Sequence, residues 1–146
     1  MITAKVYDEI FKPNESQKTE IVNFLFEHLQ EYGDPKSDIL KAIDYSVKEF
    51  TSFGGSTIVV MKDNIMVGAT VVNSTGMGGY IPENILVYIA THRDHRGSGY
   101  GKTLIQNIID NTEGDIALHV EANNPAVKLY ENFGFTNPYL EMRLNK

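Results

Sequence analysis

The segment His92-Arg-Asp-His-Arg-Gly-Ser-Gly-Tyr-Gly-Lys102 is the one best equipped for chemistry. It gathers Arg93, Arg96 and Lys102, with His92, His95 and a single acid, Asp94. Gly97, Gly99 and Gly101 carry no Cβ, so the backbone can bend sharply there and approach a ligand closely. A helix starts within the run, and its first N–H groups have no intrahelical partner. Together with the helix dipole they favour a phosphate. A positive, glycine-rich helix start therefore reads as a site for a phosphorylated ligand. The alternative is a surface turn with scattered charge.

Two phosphate loops fail the spacing test. The ending Gly101-Lys102-Thr103 imitates a nucleotide P-loop, but that motif needs glycine five residues before Gly101, where Arg96 stands. The dinucleotide fingerprint started at Gly97 needs glycine at Lys102, and started at Gly99 needs it at Leu104. A second segment of interest is Asn124-Pro125-Ala126, followed by Leu129, Tyr130 and Phe133. By spacing alone these last residues form one apolar stripe, and Tyr130 is a core aromatic. His92 and His95 lack a third ligand and any cysteine, so no metal is expected.

Those segments must be held by a sheet. Ile2 to about Ile10 reads as an opening strand. Asn14 with Gln17 resembles a capping pair, and Ile21, Val22, Leu25 and Leu29 then recur at helical spacing up to Gly33. Ser37 to Phe50 predicts a second helix with Ile39, Leu40, Ile43, Val47 and Phe50 on one face. Thr57–Met61 and Ile65–Asn73 predict a hairpin around Lys62-Asp63-Asn64, and Asn84–Thr91 a third strand of that kind. A helix follows at Gly99–Asn111, then a strand at Asp115–Glu121. A short helix is capped by Asn124, with Pro125 at its first position, and is closed by Gly134. Leu140, Met142 and Leu144 alternate as a final strand. The order predicts an α/β or α+β sheet domain.

Composition narrows the function. The chain has 146 residues, enough for one domain with its own core. Its net charge of −6 opposes general binding of nucleic acid or an anionic membrane surface. The absence of cysteine excludes a disulfide framework and a cysteine nucleophile. There is no apolar leader, and no run reaches the ~20 residues of a membrane span. A cytoplasmic protein is expected.

Arg96-x-x-Gly99-x-Gly101 resembles the acyl-CoA pyrophosphate loop of the GNAT superfamily of N-acetyltransferases. At the family's spacing follows Asn124-Pro-Ala126-Val-Lys-Leu-Tyr130-Glu-Asn-Phe133-Gly-Phe135, and the element order matches along nearly the whole chain. The resemblance implies a single domain over residues 1–146, with a mixed, mostly antiparallel sheet whose middle strands splay and helices on its flanks. It implies acetyl-CoA as cosubstrate, with backbone contacts from Ile89, Ala90 and Thr91, where the family usually has valine in place of Thr91. Arg96, Gly97, Ser98, Gly99, Tyr100, Gly101 and Lys102 would hold the pyrophosphate, and Asn124 the pantetheine or acyl region.

The implied reaction is direct attack of a primary amine on the thioester, with Tyr130 as general acid to the leaving thiolate. An ordinary phenol has a pKa near ~10 against ~8.5 for a thiol. The family's upstream Glu position is Ile85 here, which leaves Glu83 or a water chain as base. Tyr88 is expected on the other face from Ile85. The acceptor is open between a small molecule and a protein amine, and Glu27, Glu31, Asp34, Asp38 and Glu83 would suit a cationic one. Family members often form homodimers. A catalytically silent acyl-CoA sensor and a P-loop-like nucleotide binder are the alternatives.

Overall fold

Five strands build one sheet in the order β1-β2-β3-β4-β5 in the computed structural model, which describes residues 1–146. They are β1 (Ile2–Tyr7), β2 (Gly55–Lys62), β3 (Ile65–Ser74), β4 (Asn84–Thr91) and β5 (Ile116–Leu118). The first four pair antiparallel, and β4 with β5 is parallel. The hairpin between β2 and β3 turns on two residues, Asp63 and Asn64, at φ 50° and 68°. Asp and Asn tolerate that conformation best among residues with a side chain, and it matches the twist of the strands.

Four helices cover the sheet: α1 (Glu15–Leu29), α2 (Lys36–Ser46), α3 (Tyr100–Asp110) and α4 (Ala126–Asn132). α1 opens with the expected box, Asn14 Oδ1 accepting from the Gln17 N–H while Gln17 Oε1 accepts from the Asn14 N–H, each at 2.8 Å. Its apolar stripe, Ile21, Val22 and Leu25, packs with Ile39 and Ile43 of α2 on one face of the sheet. Leu104 and Ile108 of α3 pack against the other. Lys18 is buried between α1 and α2, with Nζ 3.0 Å from Asp44 and 2.9 Å from Glu49. Nothing in the apolar periodicity announces that buried cation.

Four elements differ from expectation. β1 ends at Tyr7 rather than near Ile10. α2 stops at Ser46 rather than Phe50. Val47 closes it, Lys48 takes a positive φ of 57°, and Leu40 and Phe50 are exposed. β5 is three residues long instead of seven. The last strand does not form: residues 139–146 have no regular structure, and Leu140, Met142 and Leu144 are exposed. Their alternation has no sheet edge to face.

Candidate active site

The short β5 is tied to an irregularity in β4. Val71 pairs with Tyr88 but Val72 pairs with Leu86, so Val87 is an extra residue on β4. A bulge of this kind bends its strand and increases the local twist. On its other side β4 holds β5 only from Asn84–Ile116 to Leu86–Leu118. Beyond Leu86 the two parallel strands part.

The gap opens a cleft of about 870 Å³. His92 donates its N–H to the Val67 carbonyl, 2.9 Å away. By antiparallel alternation Ala90 also bonds toward β3, while Ile89 and Thr91 direct their N–H and C=O groups at the open edge. The bulge also changes side-chain parity. Tyr88 and Val87 both pack toward the α1–α2 face, and Leu86 and Ile89 toward α3. Tyr88 therefore lines the same cleft as Ile85, correcting the expectation that it faces away.

At the end of β4, Gly97 and Gly99 sit at φ 86° and 85°, a left-handed backbone open to residues without Cβ. A Cβ at either would meet nothing within 4 Å. The first turn of α3 has the Thr103 N–H on the Gly99 carbonyl at 3.1 Å, while the N–H groups of Tyr100, Gly101 and Lys102 have no acceptor in the protein. That leaves a row of unpartnered donors at the start of α3. Gly101 serves packing, since a Cβ there would lie 2.9 Å from Leu129 Cδ2 of α4.

The loop is fastened to the C-terminal end of α1. Arg96 Nη2 donates to the His28 carbonyl at 2.9 Å, and the Arg93 N–H donates to His28 Nδ1 at 3.2 Å. The rings of His28, His92 and His95 adjoin in sequence, the first pair tilted and the second edge-on, 4.1 and 4.9 Å between centroids. Burial, then the neighbouring His92, pushes the His28 imidazole down from its ordinary value, favouring the neutral form that can accept that bond. His28 is thus a loop anchor rather than a plain helix residue.

Across the gap, Asn124 Oδ1 accepts from the Ala126 N–H at 2.9 Å just ahead of α4, where Pro125 rather than the expected Asn124 holds the cap position, and its amide donors have no protein partner. Tyr130, one turn into α4, is 7% exposed and lines the cleft. Its ring packs edge-on against Phe135, and its hydroxyl makes no hydrogen bond within the protein. Burial alone pushes the phenol up to about 12. Opposite it, the buried Tyr88 donates its hydroxyl to Asp34 Oδ2 at 2.5 Å. Burial first, then that carboxylate, holds Tyr88 well above the ordinary phenol range.

Both phenols keep their protons in the folded state past the pH at which they ionise in the unfolded chain. Stability from this source is complete below pH ~10 and is lost as pH rises through the folded values. A melting series is expected to show the thermal midpoint falling above pH ~10, and falling less in Tyr130→Phe.

The sequence profile of the acetyltransferase (GNAT) domain matches residues 54–137, from β2 through α4 and including both sides of the cleft. The chain belongs to the GNAT acetyltransferase family. Among solved structures, its fold is similar to the ribosomal-protein-S18-alanine N-acetyltransferase of Escherichia coli. The TM-score is 0.71 at 16% identity, over 95% of this chain and 80% of that one. An aminoglycoside N-acetyltransferase in complex with CoA has a TM-score of 0.69 at 14% identity, over 100% and 96% of the two chains. Over 54 residues the chain is 37% identical to the cysteine-rich protein 2-binding protein of Mus musculus, covering 36% of this chain and 7% of that protein. The expected fold, a mixed sheet with parting middle strands and flanking helices, is the one observed.

Of the residues the GNAT resemblance singled out, Ile89, Asn124 and Tyr130 line the cleft together. Ala90, Thr91 and Arg96 through Lys102 do not line it; they continue β4 past the cleft into α3. Arg96 spends a donor on α1, whereas Lys102 is free of ion pairs. Glu83 is outside the cleft: its Oε1 accepts from the Asp115 N–H at 2.9 Å, and such backbone bonds hold its carboxyl below the usual range. A carboxylate so engaged is a poor base. Of the acids suited to a cationic acceptor, Asp34 alone lines the cleft. Tyr88 and His119 line it too, and no motif points to either. Only Tyr88 carries a usable signal, a buried-strand tyrosine near the mapped Ile89, and the bulge hides its face. No helix is long and apolar enough to cross a membrane.

Proposed function

We propose that the chain transfers an acetyl group from acetyl-CoA to a primary amine by direct attack within a ternary complex. The observation that carries this is the parting of β4 from β5 past Leu86, with free backbone groups of Ile89 and Thr91 on one wall. That edge suits an extended amide-bearing chain such as pantetheine, lying where the next strand would pair. The unpartnered N–H groups of Tyr100, Gly101 and Lys102 suit its pyrophosphate, with Lys102 adding charge.

The chemistry follows from what surrounds that slot. A backbone N–H at Ile89 or Thr91 donates to the thioester oxygen as it gains negative charge. Tyr130 holds its proton and delivers it to the departing sulfur, a general acid that touches the reacting atoms. The Asn124 amide donors orient the pantetheine beside it. The proton of the attacking amine leaves through water, since Ile85 offers no base and Glu83 is occupied.

A thermal-shift panel of acetyl-CoA, CoA, ATP and NAD tests the cosubstrate. A ligand at ~100 times its dissociation constant adds about 2.7 kcal/mol, a rise of roughly 5–10 °C in a domain of this size. Acetyl-CoA and CoA are expected to shift the midpoint, ATP and NAD not. Amine-dependent release of CoA then tests the transfer. A shift without turnover would leave an acyl-CoA sensor; a shift with ATP alone, or none, would overturn the reading.

A further inference from the structure

The cleft has an acceptor side, and its charge is uneven. Asp34 lies on its wall just before α2 and makes no salt bridge. Glu121, also lining the cleft, has no cationic partner, while Glu141 is paired with Arg143. No lysine lines the cleft. Asp34 is not loosely placed, because the Tyr88 hydroxyl donates to its Oδ2 at 2.5 Å. Tyr88 itself is 8% exposed, fixed by the core on the bulged segment of β4. The carboxylate is thus set on a rigid post, a tyrosine's length out from the strand that carries Ile89. Tyr130, more than nine-tenths buried, points an unpartnered hydroxyl into the same space.

We infer that Asp34, positioned by Tyr88, is an ammonium subsite for the acceptor, and that the acceptor is a dicationic amine. This rests on the acetyl-transfer reading. The amine that reacts must reach the β4 backbone beside Ile89. A carboxylate held a side chain's length away cannot touch that nitrogen; it binds a second positive charge on the same molecule. A short diamine has this geometry, with one end anchored and the other at the thioester. Tyr88 keeps its proton, so it donates to Asp34 and leaves the other carboxylate oxygen for the ammonium. A charge-assisted bond of that kind is worth about a tenfold preference over an acceptor lacking the second charge.

The test compares 1,4-diaminobutane with n-butylamine as acceptors for the full chain, following CoA release at fixed acetyl-CoA. The wild type is expected to favour the diamine by about tenfold in kcat/KM, mainly through KM, with the preference shrinking as salt is added. Asp34→Asn is expected to bring the ratio close to one, and Tyr88→Phe to lower it part of the way. Thermal midpoints check that both variants fold, and a structural tie alone would lower them without changing the ratio. A wild type that treats the two amines alike, or an Asp34→Asn protein that keeps the preference, overturns the subsite. Failure to bind CoA or to release it with any amine overturns the acetyl-transfer reading itself, and the subsite with it.

Discussion

Tyr130→Phe is expected to lower kcat by about 100-fold while leaving CoA affinity within a few-fold of wild type. The substitution deletes one oxygen from a ring whose packing against Phe135 is otherwise kept. That oxygen bonds to nothing in the protein, so its loss leaves no buried partner stranded. A fall in turnover would therefore report the proton the phenol supplies. Because burial pushes its pKa up to about 12, the acid form persists through the working range. The alkaline limb of the wild-type rate profile should not begin below pH ~10 on account of this group. Steady-state kinetics with acetyl-CoA and an amine decide it. Unchanged turnover would return Tyr130 to the core and leave the thiolate to depart unassisted.

The second large effect separates two glycines two residues apart. Gly99→Val puts a branched side chain into the open space above the loop's free N–H groups, where the pyrophosphate is proposed to lie. It also forces a β-branched residue to φ 85°, costing about 1–2 kcal/mol. The variant is expected to fold with a midpoint a few degrees lower and to lose at least about 100-fold in CoA affinity, since three or more phosphate bonds are blocked together. Gly101→Val instead drives into Leu129 of α4, so stability is expected to suffer first. Calorimetric titration with CoA beside thermal melts distinguishes them. Normal CoA affinity in folded Gly99→Val would mean that the loop is not the phosphate site.

The contrast between those glycines is not legible in the sequence, where 97, 99 and 101 look alike. Gly97 and Gly99 are left-handed and open, but Gly101 is helical and pressed against a neighbour. The same division runs through the rest of the molecule. Helix starts, the Asp63-Asn64 turn and the β-branched strands depend on near neighbours, so local chemistry announces them. Chain order likewise announces the loop, α4 and the family.

The cleft depends on pairing across the sheet. One extra residue at Val87 bends β4 just past the three residues that pair with β5 and turns Tyr88 onto the cleft wall. Alternation along a strand assumes an unbroken register, so a bulge reverses the expected facing of every residue beyond it. Arg96, which the GNAT resemblance assigns to a phosphate, spends a donor on the end of α1, and Glu83 is engaged at the start of β5. Asp34 meets Tyr88 across 54 positions, a closeness that only packing α1 and α2 onto the sheet creates. Sequence supplied the candidate residues for acyl transfer and determined in what order the elements carry them. The tertiary structure decided which of them share a space, because a polar side chain's partner is set by what the fold brings near it.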